Sequence, residues 1–257
     1  MKFAGIALVC LATVAWGYSP TPVQKSPVEV QLQAALDKAA TPEEKSRIAT
    51  DFLNTNPADF PAARIAQDQL FKTLDDPAPF FKARAEKSDA LLDHYLYARA
   101  ADDSVIAAQE AAWILKKDPK NFWGHLVAGN AEWSKAKPDS AVVERHFTDA
   151  IAADASRPEG YLMLGYLYQE QDNLTKAREL FEAGRITDPE SFLFKNALIS
   201  TYAMQRDADA YFKLLDSMAP KEPLTGILQR ASNGSEPVDA ARVFRGHTTL
   251  VEYWAYT

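Results

Sequence analysis

The sequence predicts an all-α fold, a solenoid of helical hairpins, followed by a short C-terminal β segment. Three observations carry this. Between residues 28 and 220, Ala, Leu, Glu, Lys, Gln and Arg recur at helical spacing, and no alternating run of β-branched residues appears. The pairs Asn56-Pro57, Asp76-Pro77, Asp118-Pro119 and Asp188-Pro189 interrupt this pattern at intervals, because proline disfavours helical geometry in the preceding residue and lacks an amide donor. Finally, setting Asp188-Pro189 over Asp154-Ala155 gives an offset of 34 residues that also takes Phe147 to Phe181, Ala150 to Gly184 and Val143 to Ala177.

The N-terminus reads as an address. Met1-Lys2 supplies one positive charge, Phe3 to Val14 is apolar, and Ala15-Trp16-Gly17 offers small residues where a signal peptidase reads. Residues 1–17 are therefore expected to be a secretory signal peptide, placing the protein in the periplasm or cell envelope. An uncleaved anchor, the one source of membrane contact, is the competing reading, although the run is shorter than the ~20 residues a spanning helix needs. A lipoprotein centred on Cys10 would have the bulky Val9 where a small residue is expected. Residues 18–27, with Pro20, Pro22 and Pro27 among small and polar residues, read as a tether.

Residues 28–87 read as an N-terminal helical cap. Within it Thr41-Pro42-Glu43-Glu44 combines a capping Thr, a Pro at the first helical position and a Glu at the third, a helix-start signature. Terminal repeats of an array need an outer face that tolerates water, and a degenerate cap meets that need.

Residues 88–220 carry the repeats, of which 158–191 is the fullest. Tyr161, Leu164 and Tyr168 mark one face of a first helix, Gly165 and Ala177 are small where two helices cross, Phe181 fills the gap, and Pro189 ends the second helix. This set resembles the tetratricopeptide repeat (TPR) family. The segment 122–156 keeps Ala128-Gly129, Phe147 and Ala150, but Gly129 to Val143 spans two residues more than Gly165 to Ala177, an insertion placed in Lys137-Pro138-Asp139-Ser140. Segment 91–121 has Tyr95 where the central Gly belongs, and segment 192–220 has Ile199 there.

The resemblance implies an all-α solenoid whose partner is a protein or peptide, held in a groove lined by the second, fifth, ninth and twelfth positions of each repeat. Those positions fall on Trp123, Leu126, Asn130 and Trp133, on Glu159, Leu162, Tyr166 and Gln169, and on Leu193 and Asn196. Aromatics there could hold an extended peptide or a partner helix. Packing of Trp123 and Trp133 against a neighbouring helix is the alternative. The basic, Asn-rich clamp that some family members use for C-terminal carboxylates is not evident, since Leu126 and Leu162 stand where cations would be wanted.

The remainder has a different texture. Residues 221–240, with Ser232-Asn233-Gly234-Ser235-Glu236-Pro237, read as a linker, and Thr248 to Trp254 reads as a strand that needs partners. The stretch 244–257 resembles the entry to the active site of thioredoxin-like proteins of the TlpA type: Gly246 matches a turn, Leu250 to Tyr253 a central strand, and Trp254-Ala255 the pattern that precedes a Cys-x-x-Cys pair. The resemblance implies that 241–257 begins a thioredoxin-like domain, cut off before its cysteines, in a thiol–disulfide oxidoreductase whose solenoid selects the client. The other reading is a non-enzymatic scaffold or adaptor of the envelope, with an edge strand or apolar tail at its end.

Composition narrows the rest. The chain has 257 residues, 47% hydrophobic and 25% charged, with a net charge of −7, which gives no electrostatic footprint for nucleic acid. Cys10 is the single cysteine, so no catalytic cysteine pair is present in the chain as given. His94, His125, His146 and His247 are scattered without ligand spacing, and no phosphate loop or nucleophile elbow occurs. No catalytic residue, metal or small-molecule cofactor is therefore expected.

Overall fold

The computed structural model describes residues 19–55 and 58–218, together with the backbone of 227–229 and 237–239. Twelve helices lie among the described residues: α1 (Pro27–Lys38), α2 (Pro42–Thr55), α3 (Phe60–Phe71), α4 (Ala78–Ala85), α5 (Leu91–Ala100), α6 (Ser104–Lys117), α7 (Phe122–Trp133), α8 (Ser140–Ala153), α9 (Pro158–Glu170), α10 (Leu174–Thr187), α11 (Phe192–Gln205) and α12 (Ala208–Met218). Contacts divide the chain into two units, Met1–Asp207 and Ala208–Thr257.

The helices of the first unit start and stop for local reasons. Asp59, Asp103, Asn121, Asp139 and Asn173 each stand before a helix and accept from amides of its first turn, satisfying donors that have no partner inside the helix. Thr41 Oγ1 accepts from the Glu44 amide at 3.2 Å, and the Glu44 carboxylate accepts from the Ala40 amide at 3.1 Å. One turn recurs between hairpins: the amides of Asn121, Arg157 and Ser191 bond back to the carbonyls of Asp118, Asp154 and Asp188. The interruptions at Asp118-Pro119 and Asp188-Pro189 are these turns, and Asp154-Ala155 adopts the same one without proline.

Antiparallel neighbours then pack by their apolar stripes, α7 on α8 and α9 on α10 most extensively, while the first helices of successive hairpins also touch, α3 with α5, α5 with α7 and α9 with α11. This nearest-neighbour pattern makes the described array a solenoid of helical hairpins. The close crossings are set by glycine. A Cβ on Gly129 would lie 2.5 Å from Phe147 Cε1, and one on Gly165 would lie 2.7 Å from Phe181 Cδ1, so each ring occupies the space that a methyl group would need. The insertion in the earlier hairpin is taken up in the link 134–139, which is closed by the Glu132 carboxylate accepting from the Asp139 amide at 3.1 Å and pairing with Lys135.

Two segments carry local structure beyond what the sequence reading gave them. The expected tether is laid against the array: Pro20 is buried, the Val23 amide donates to the Thr187 carbonyl at 2.9 Å, and α1 begins at Pro27 under a Ser26 cap. Proline removes donors but leaves an extended segment able to dock. The expected linker 221–240 contains two short strands, β1 (Ile227–Gln229) and β2 (Pro237–Asp239), paired antiparallel with Leu228 opposite Val238. They belong, with α12, to the second unit. The signal segment 1–17, Asn56-Pro57 and the thioredoxin-like residues Gly246, Tyr253, Trp254 and Ala255 lie outside the described residues.

Candidate functional site

The face formed by α7, α9 and α11 carries the predicted groove positions, and its environment changes along the array. At α7 it is filled from within. Trp123 is 5% exposed and Leu126 7%, so neither is presented to a partner, and for Trp123 this is the packing that the sequence left as the alternative. The reason is α3. Its Phe60 ring lies parallel to the Trp123 indole, 6.0 Å between centroids at an interplanar angle of 2°, and Tyr95 of α5 closes the cluster at 5.4 Å from Phe60 and 5.2 Å from Trp123. The Arg64 guanidinium sits 4.8 Å from the indole centroid and that of Arg157 5.0 Å. Tyr95, standing where a repeat would have glycine, is thus part of the surface that receives α3.

Farther along, Arg64 pairs with Glu159, the first groove position of α9. The fit is incomplete, since Arg64 Nε and Glu159 Oε2 are both buried without a hydrogen-bond partner. Burial drives the Tyr95 phenol up to about 12, against the opposing pull of the Arg64 and Arg99 charges.

Beyond Glu159 the face opens. Leu162, Tyr166 and Gln169 are half-buried, as are Asn130 and Trp133 of α7. Trp133 Nε1 donates to Glu170 Oε2 at 2.9 Å, and the Tyr166 ring meets the Phe181 ring edge-on at 5.3 Å. Gln169 Nε2 donates to Thr201 Oγ1 at 3.2 Å and to Ser200 Oγ at 3.4 Å, joining α9 to α11. On α11 the groove positions are uncovered: Leu193 is 56% exposed, and Asn196 and Ser200 are exposed with it. The repeat signature residues are structural. Tyr161, Leu164, Gly165, Tyr168, Ala177 and Phe181 are buried, with the Tyr161 hydroxyl donating to the Ala155 carbonyl at 3.0 Å and the Tyr168 hydroxyl to Glu144 Oε1 at 2.6 Å.

The histidines also differ from their expected scatter. His125 of α7 and His146 of α8 meet with their Nδ1 atoms 3.1 Å apart, and Asp149 Oδ2 lies 3.9 Å from His125 Nδ1. His125 Nε2 is 3.0 Å from the Pro119 carbonyl, an acceptor, so that nitrogen carries the proton. Burial first, and then the neighbouring His125, hold the His146 ring below the usual histidine range. His94 is engaged otherwise, 2.5 Å from Glu110 Oε2, with its ring centroid 3.5 Å from that of Trp113. Among the described residues no group of three or more His, Cys, Asp or Glu side chains is arranged to hold a metal ion, and no helix is long and apolar enough to cross a membrane. Sequence reasoning missed Phe60, Arg64 and the His125–His146 contact. Residues 95 positions apart and 21 positions apart meet there, and no local periodicity marks such pairs.

No family model and no curated protein matches the chain. Eighteen chains of solved structures do. Among them is the crystal structure of MamA protein, 16% identical, with a TM-score of 0.44 over 68% of this chain and 90% of that one.

Proposed function

We propose that the chain is an exported, tetratricopeptide-like interaction module that takes an extended segment of a protein partner on the open face of α9 and α11. The observation that carries this reading is the gradient along the face: α3 fills it at Trp123, whereas Leu193, Asn196 and Ser200 stand uncovered beside Tyr166 and Gln169. The mixture suits main-chain recognition, with an apolar anchor at Leu193 and amides at Asn196 and Gln169 to pair with peptide groups.

A displayed library of extended peptides tests the reading. Enriched peptides should lose at least tenfold in affinity against Leu193→Asp while the melting temperature is unchanged. No enrichment, or binding indifferent to both Leu193→Asp and Tyr166→Ala, would refute it. Export is supported by the composition of residues 1–17 and is tested by the mature N-terminus: cleavage near Gly17 is expected, and an intact Met1 on the mature protein would overturn it.

The finer reading makes the array the client-selecting part of a periplasmic or envelope thiol–disulfide oxidoreductase. It is supported by the likeness of 244–257 to the entrance of a TlpA-type thioredoxin-like active site, with a low-pKa thiolate supplying the exchange chemistry. Reading the coding DNA beyond Thr257 tests it. A Cys-x-x-Cys in the next codons supports the enzyme; an immediate stop leaves a non-enzymatic envelope scaffold.

A further inference from the structure

The pair His125 and His146 has a geometry that the solenoid does not require. Their Nδ1 atoms are 3.1 Å apart, and a cation bound to both at the usual zinc–imidazole distance of about 2.1 Å, with an angle between octahedral and tetrahedral, needs about 3.0–3.4 Å between the nitrogens. We infer that His125 Nδ1 and His146 Nδ1 chelate one nitrogen-preferring first-row divalent cation, completed by water, which ties α7 to α8.

Three features of the site favour it. The Pro119 carbonyl accepts from His125 Nε2, which turns the bare Nδ1 lone pair toward His146, the outer-sphere arrangement that orients ligating imidazoles. The carboxylate of Asp149, 3.9 Å from His125 Nδ1, supplies negative charge beside the cation, and Glu132 adds to it, while Arg145 opposes it. The rings are tilted by 43° with centroids 5.4 Å apart, so their nitrogens converge and their faces do not stack. Without metal, His146 Nδ1 holds a proton that it donates to His125. On binding, that proton moves to His146 Nε2, both rings stay neutral, and no net proton is released.

The experiment uses the full, untagged chain with zinc chloride alone. Calorimetry should show a single saturable equivalent with a dissociation constant below about 100 μM. His146→Asn should weaken binding at least tenfold, whereas His94→Asn and His247→Asn should leave it unchanged. Zinc should raise the melting temperature of the wild type and not that of His146→Asn. Because His125→Asn could unfold the hairpin, the second readout is made on the folded wild type, where copper(II) should show two coordinated nitrogens by electron paramagnetic resonance and zinc should shift both imidazole spectra together. Absence of a saturable equivalent, binding retained in His146→Asn, or a one-nitrogen copper spectrum would each overturn the inference.

Discussion

Phe60 and Trp123 stack in parallel, 6.0 Å between ring centroids, and this contact closes the groove face of the array at α7 with a helix from the N-terminal region of the same chain. The expected consequence is that Trp123 acts on stability and not on partner binding. Trp123→Ala should cost about 3–5 kcal/mol by the transfer and cavity terms, and Phe60→Ala, whose ring is half-buried, about 2 kcal/mol. Urea denaturation measures both. A Trp123→Ala protein of unchanged stability would show that α3 does not hold the face closed.

The Arg64–Glu159 pair bridges α3 and α9, with about a quarter of each side chain exposed and one atom of each unsatisfied. Removing one partner strands the other, so Arg64→Met and Glu159→Leu should each destabilise by about 2 kcal/mol. The double variant should return to within about 1 kcal/mol of wild type, since an apolar contact replaces an imperfectly paired charge. Additive losses in the double-mutant cycle would show that the two side chains act independently.

At Gly165 two effects compete. Alanine improves intrinsic helix propensity by about 0.5–1 kcal/mol, but its methyl group would overlap the Phe181 ring, which is fully buried. Overpacking of this kind costs about 1–3 kcal/mol, so the net sign of Gly165→Ala should be destabilising. Adding Phe181→Leu should recover part of the loss, and thermal melts of the single and double variants report the coupling. Increased stability of Gly165→Ala would mean that the α9–α10 crossing can widen at little cost.

Tyr95 makes stability depend on alkaline pH. Burial raises its folded-state pKa from near 10 to about 12, so the unfolded chain gives up this proton first. Its contribution is therefore fully present below pH 10 and is lost as the pH rises through 10 toward 12, a decline of order 2 kcal/mol. Denaturation midpoints at pH 8, 10 and 11 should fall in that order, and Tyr95→Phe should show a smaller decline. Identical pH profiles for the two proteins would place the alkaline sensitivity elsewhere.

Helix identity, the hairpin period and the small-against-large pairing of Gly129 with Phe147 and Gly165 with Phe181 were legible in the amino-acid sequence, because each follows from local propensity, capping and a repeat near 34 residues. The face that a partner could reach was only half legible. The repeat register marked Trp123 and Leu193 alike, yet one is packed beneath Phe60 and the other stands open. That difference was decided by the tertiary structure, through the return of α3 onto the array. Contacts such as Arg64 to Glu159 and Val23 to Thr187 join residues far apart in the chain, and the energy that selects them comes from burial and pairing between whole elements, which no short-range pattern records.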